Sequence, residues 1–119
     1  MIYYTSLTGN VRRFVSKTGL AAEEIKPGLI ATEPFVLVTY TIGFGMVPPK
    51  VTRFLEKNGG LLKAVAASGN RNWGDNYGRA GDVIAEQYGV PLLLKFELAG
   101  TEEDVQTFVE KVDKCVILN

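Results

Sequence analysis

Apolar positions along the chain fall into short runs that alternate with stretches of helical periodicity, and no repeat or low-complexity tract interrupts them. Residues 35–40 (FVLVTY) are apolar on both faces, as a buried parallel strand must be. Residues 2–5, 61–67 and 92–98 read as further strands. Residues 21–26 form a short, charged strand suited to a sheet edge before the Pro27-Gly28 turn. Between the strands, Val11, Phe14, Val15 and Thr18 recur at i, i+3, i+4 and i+7, predicting a helix capped by Asn10 and ended by Gly19. Pro49 suits the first turn of a second helix whose buried face is Val51, Phe54 and Leu55, closed by Asn58-Gly59-Gly60. Tyr77, Ala80, Ile84 and Tyr88 share a third stripe, capped by Asp75 or Asn76 and stopped by Gly89 and Pro91. Thr101 to Asp104 approximates a capping box ahead of Val105, Phe108, Val109 and Val112. Five strands alternating with helices, joined by right-handed crossovers, make an α/β doubly wound parallel sheet with helices on both faces. Its 119 residues, 46% of them apolar, fit one domain spanning 1–119.

A sheet of this kind binds ligands outside the carboxyl ends of its strands. Three loops fall on that edge and should converge. SLTGN (residues 6–10) sets two hydroxyls and a glycine before a helix N-terminus, where unpaired N–H groups favour a phosphate; the same residues also serve as a plain capping turn. It lacks the GxxxxGK[ST] of a nucleoside-triphosphate loop, and Gly43-Phe44-Gly45 does not extend to a dinucleotide fingerprint, so a mononucleotide fits better. TIGFG (residues 41–45) lets a flat ring approach the main chain, or simply strains the connection to Pro48-Pro49. SGNRNWG (residues 68–74) offers backbone N–H groups, amide side chains and the chain's one tryptophan, which covers either an aromatic ring or the core. Together the loops describe a flavin pocket, with phosphate at the first loop and the ring between the second and third.

Charge and composition narrow the chemistry. Thirteen basic residues balance thirteen acidic ones, which argues against nucleic acid as a partner. The absence of His and the presence of one Cys exclude common zinc sets, Ser-His-Asp and Cys-His catalysis and an intrachain disulfide. Cys115, beside Val112, Val116 and Ile117, reads as structurally buried. No apolar segment is long enough to span a bilayer, and Met1-Ile2 runs into Tyr3-Tyr4-Thr5 without a basic leader, so a soluble cytoplasmic protein is expected.

The blocks SLTGNVRRF, VTYTIGFGMVP and ASGNRNWGDNYG, followed by KFELAGTEEDV, resemble the NrdI family of flavodoxin-like proteins over essentially the whole chain. Flavodoxins in general do not carry GNRNWG at this place. The resemblance implies a sheet in the order 2-1-3-4-5 and FMN as cofactor. Ser6, Thr8, Gly9, Asn10 and Val11 would surround the phosphate. Thr41, Gly43, Phe44 and Gly45 would take one side of the ring, and Ser68, Gly69, Asn70, Asn72, Trp73 and Gly74 the other. It further implies an accessory flavoprotein rather than an independent enzyme: reduced by an unidentified reductase, it meets oxygen and passes superoxide to the dimanganese site of the class Ib ribonucleotide reductase small subunit. A formally neutral chain suits this task, because an acidic surround disfavours an anionic reduced flavin.

Three alternatives share parts of the pattern. An electron-transfer flavodoxin shares the fold and the cofactor. A phospho-receiver domain needs acidic residues where strands one and three end, and the chain has Tyr4-Thr5-Ser6 and Tyr40-Thr41 there. A nicotinamide-dependent flavin reductase finds no nicotinamide motif.

Overall fold

A three-residue strand is too short to hold a sheet by itself, yet β1 (Ile2–Tyr4) lies inside one because it pairs on both sides. β2 (Ala22–Glu24) flanks it at the edge, and β3 (Phe35–Thr39), β4 (Leu62–Gly69) and β5 (Leu92–Glu97) extend the other side. All pairs are parallel, in the order β2-β1-β3-β4-β5. The computed structural model describes residues 1–43 and 45–117, the side chains of 116 and 117 excepted.

Alternation along β3 sorts the core into two layers. Val36 and Val38 face one cluster, with Val11, Phe14 and Val15 of α1 (Asn10–Thr18) and Phe108 and Val112 of α4 (Glu102–Ile117). Phe35 and Leu37 face the other, with Val51, Phe54 and Leu55 of α2 (Pro49–Asn58) and Ile84 of α3 (Arg79–Tyr88). Helices thus cover both faces, as the two-sided apolarity of β3 requires. Phe14 stacks on Phe96 at 4.0 Å between centroids and meets Phe108 edge-on at 5.3 Å, joining α1, β5 and α4.

Local chemistry moves several boundaries. Asn10 is the first residue of α1 rather than its cap; the cap position is Gly9, left-handed at φ 90°. Ser6 does the capping instead, its Oγ accepting from the Gly9 and Arg12 N–H groups at 3.1 and 3.3 Å. Neither Asp75 nor Asn76 caps α3. Both lie in a 3-10 segment, Arg71–Asn76, while α3 starts after Gly78 at φ 60°, so Tyr77 precedes the helix. Leu61 belongs to a 3-10 turn, Gly59–Leu61, and β4 runs on through Ser68 and Gly69. Cys115 is half-buried at the margin of the first core cluster rather than within it.

Candidate functional site

The strands' carboxyl ends carry a cavity of about 400 Å³, walled by Thr8, Asn10 and Val11 from the first loop, Thr41 from the second, and Ser68, Gly69, Asn70 and Trp73 from the third. The three loops read from the sequence therefore meet. A buried hydrogen bond joins two of them directly: Thr41 Oγ1 donates to the Ser68 carbonyl at 2.9 Å. The third loop turns on itself, since Asn70 Oδ1 accepts from the Asn72 N–H at 2.9 Å and Trp73 N–H donates to the Asn70 carbonyl at 3.0 Å.

At the first loop, Ser6 Oγ takes two amides and Arg13 N–H bonds the Gly9 carbonyl, which leaves Asn10 and Val11 N–H groups at the helix start without an intrahelical acceptor. Both residues line the cavity. Asn10 Oδ1 accepts from Arg13 Nη2 at 2.7 Å, and a Cβ on Gly9 would come within 3.0 Å of Arg13 Nη1. A cation thus lies against the loop, placed by the i, i+3 spacing of Asn10 and Arg13 on one helix face. Arg12 is turned away, bridging Glu24 at 2.9 Å. This set, amides at a helix N-terminus with a hydroxyl and a guanidinium, suits a phosphate. With Trp73 and Tyr40 in the same wall, it fits a phosphorylated aromatic cofactor.

Some predicted residues stand back from the cavity. Ser6, Gly9, Gly43, Gly45, Asn72 and Gly74 do not line it, and Phe44 lies outside the described residues. Gly45 is buried where a Cβ would sit 2.8 Å from Arg79 Cδ, so this chain's own packing demands the glycine. Gly69 is similar, with the Gly78 backbone nitrogen only 2.6 Å from its would-be Cβ. Gly43 and Gly74, both at φ 54°, have open space around them and serve backbone conformation instead.

Four wall residues escaped the sequence reading: Leu7, Tyr40, Glu97 and Leu98. The signal for the last two was present, since β5 ends on the same sheet edge as β1, β3 and β4. Glu97 Oε2 accepts from the Arg71 N–H at 3.1 Å, tying that end to the third loop. Arg71 itself is exposed, its guanidinium carbon 5.8 Å from the Tyr77 ring centroid.

Comparison with known proteins agrees with this geometry. The family model described as NrdI Flavodoxin like matches residues 2–110. Protein NrdI of Bacillus licheniformis is 51% identical over 116 residues, covering 97% of this chain and 88% of its own. Protein NrdI of Macrococcus caseolyticus is 51% identical over 121 residues, covering 96% and 89%. Among solved structures, a Streptococcus pneumonia TIGR4 flavodoxin superposes with a TM-score of 0.73 at 22% identity, covering 99% of this chain and 97% of that one. Oxidised flavodoxin 1 from Bacillus cereus superposes at 0.69 and 20% identity, covering 98% and 95%, and both share the fold. FMN is the cofactor that goes with this family and fold, and the family is linked to ribonucleotide reductase. The chain belongs to the NrdI family of flavodoxin-like proteins.

Proposed function

We propose that the chain, acting as one FMN-binding domain, activates the dimanganese small subunit of a class Ib ribonucleotide reductase. When bound and reduced, FMN supplies the electrons that turn oxygen into superoxide, the oxidant from which that subunit forms its manganese-tyrosyl radical. The observation that carries the reading is the cavity's two-part lining, an anion cradle at α1 beside an aromatic slot at the second and third loops. The amides of Asn10 and Val11, the Thr8 hydroxyl and Arg13 hold the phosphate. Thr41, Ser68, Gly69, Asn70 and Trp73 orient the ring and keep bulk water from its covered face. Ser6 and Gly9 shape the first loop, Gly43 and Gly45 the second, and Asn72 and Gly74 the third.

The side chains supply no acid, base or metal ligand to this scheme; their work is binding and orientation. Electrons come from a separate reductase. Leu7 and Leu98, 72% and 70% exposed at the cavity wall, give the partner an apolar contact, with Arg71 in the third loop as its charged neighbour.

The test combines reduced protein, manganese-loaded small subunit and oxygen, then follows the tyrosyl radical by electron paramagnetic resonance. Radical formation is expected, and Arg71→Glu should abolish it while leaving FMN bound. Absence of radical, or equal activation by free superoxide without this protein, would instead favour an electron-transfer flavodoxin serving a reductase.

A further inference from the structure

A second concavity, of about 250 Å³, lies between α2 and the connection leaving β2, and it shares no lining residue with the cofactor cavity. Its outer wall is a type II turn: Leu29 N–H donates to the Lys26 carbonyl at 3.1 Å, with Pro27 at the second position and Gly28 at φ 80° at the third. The turn is fastened to the helix by Asn58. The Asn58 amide donates to the Leu29 and Phe54 carbonyls at 3.2 and 2.9 Å, and its Oδ1 accepts from Ala31 N–H at 2.8 Å. Ile25 and Phe54, both buried in the core, close the groove from beneath. The groove is therefore held open by the fold, and a ligand need not order it.

Four cations line it, Lys26 from the turn and Lys50, Arg53 and Lys57 from α2, against the single acid Glu56. Among the described residues none of the four enters an ion pair. In a chain whose total charge is zero, this is a local excess that a negatively charged ligand would relieve. The three helix cations sit at i, i+3 and i+7, so they are spread along about 10 Å of axis. A compact phosphate would reach one or two of them. An extended peptide advances about 3.3 Å per residue and presents alternate side chains to opposite sides, so three to four residues match the span.

We propose that this groove binds an extended acidic segment of a partner protein, its carboxylates against Lys26, Lys50, Arg53 and Lys57. The assignment does not depend on what the cofactor site does.

The test titrates the FMN-loaded full chain into a fluorescein-labelled peptide with the core Glu-Leu-Glu-Leu-Glu and reads anisotropy. Binding should weaken about tenfold in the Arg53→Glu/Lys57→Glu variant, as expected for loss of several exposed ion pairs, and should weaken with added salt. Flavin absorbance and circular dichroism confirm that the variant is folded, and the milder Arg53→Gln/Lys57→Gln variant should lie between the two. A Gln-Leu-Gln-Leu-Gln core should not bind. Equal binding of the two cores, or indifference to the charge reversals, overturns the proposal. So does binding of inorganic tripolyphosphate or of anionic phospholipid vesicles by a protein that ignores the peptide.

Discussion

The Thr41 hydroxyl and the Ser68 carbonyl form a 2.9 Å hydrogen bond between the exit of β3 and the end of β4, at the back of the cofactor cavity. Both residues are only 8% exposed, so water does not replace the bond if it is lost. Thr41→Val keeps the shape and leaves a buried carbonyl unpaired, at a cost of about 1–3 kcal/mol. Thermal unfolding of the apo-protein should register that loss, and flavin fluorescence titration should show weaker FMN, because the second and third loops are no longer tied. Thr41→Ser should restore both. Wild-type stability in the Val variant would mean the bond contributes nothing.

The first loop predicts a split between FMN and riboflavin. Thr8→Val removes a hydroxyl from the cavity wall, and Asn10→Ala releases the 2.7 Å hold on Arg13. A hydrogen bond to a charged group contributes about 1.5–3 kcal/mol, so each variant should weaken FMN roughly tenfold or more. Riboflavin, which has no phosphate, should bind both variants almost as well as wild type. Parallel losses for the two flavins would place Thr8 and Asn10 elsewhere than at the phosphate.

Asn58 offers a stability test far from the flavin. Its side chain is 4% exposed and satisfies three backbone groups, of Leu29, Ala31 and Phe54. Asn58→Leu strands the Leu29 carbonyl and the Ala31 N–H, while the Phe54 carbonyl keeps its bond within α2, so at about 1 kcal/mol or more apiece the loss should be around 2 kcal/mol in urea unfolding. FMN affinity should stay near wild type, since Asn58 does not line the cofactor cavity. A large loss of FMN binding without destabilisation would contradict the separation of the two regions.

How much of this was legible in the sequence depends on whether a feature is set by periodicity or by local geometry. β3 declared itself because FVLVTY is apolar on both faces and too short for a buried helix, and with it came the two-layered sheet. The meeting of the three loops followed from topology, and the TIGFG and SGNRNWG blocks landed where strands end. Caps were harder. Asn10 is a good capping residue by type, yet Ser6, reaching over from the loop, satisfies the N–H groups that Asn10 was expected to serve. The glycines show a related limit: close contact with Arg79 and with Gly78 already requires glycine at 45 and 69, whatever Gly69 also does in the cavity wall. Arg12 and Arg13 both follow the first loop in the sequence as cations able to help from a distance, and only geometry separates them: Asn10 holds Arg13 against the loop while Glu24 draws Arg12 away.

Leu98 gives the last prediction, because it is the one described non-glycine residue in a left-handed conformation, at φ 56°, and it lies in the cavity wall with most of its side chain in solvent. The turn that holds it is closed by Gly100 N–H donating to the Glu97 carbonyl at 2.9 Å, while Glu97 is tied to Arg71. A β-carbon in this region costs about 1–2 kcal/mol, whereas glycine costs about 0.5–1 kcal/mol through the unfolded chain. The strain term is the larger, so Leu98→Gly should stabilise the apo-protein by up to roughly 1 kcal/mol in urea unfolding. FMN binding should move the other way, since the variant loses an apolar wall and frees the turn before β5 hands over to α4. Opposite signs for the two measurements would identify Leu98 as strain retained for the cofactor. A destabilised apo-protein would show that the turn carries no strain, and unchanged FMN affinity would show that the leucine is idle at the wall.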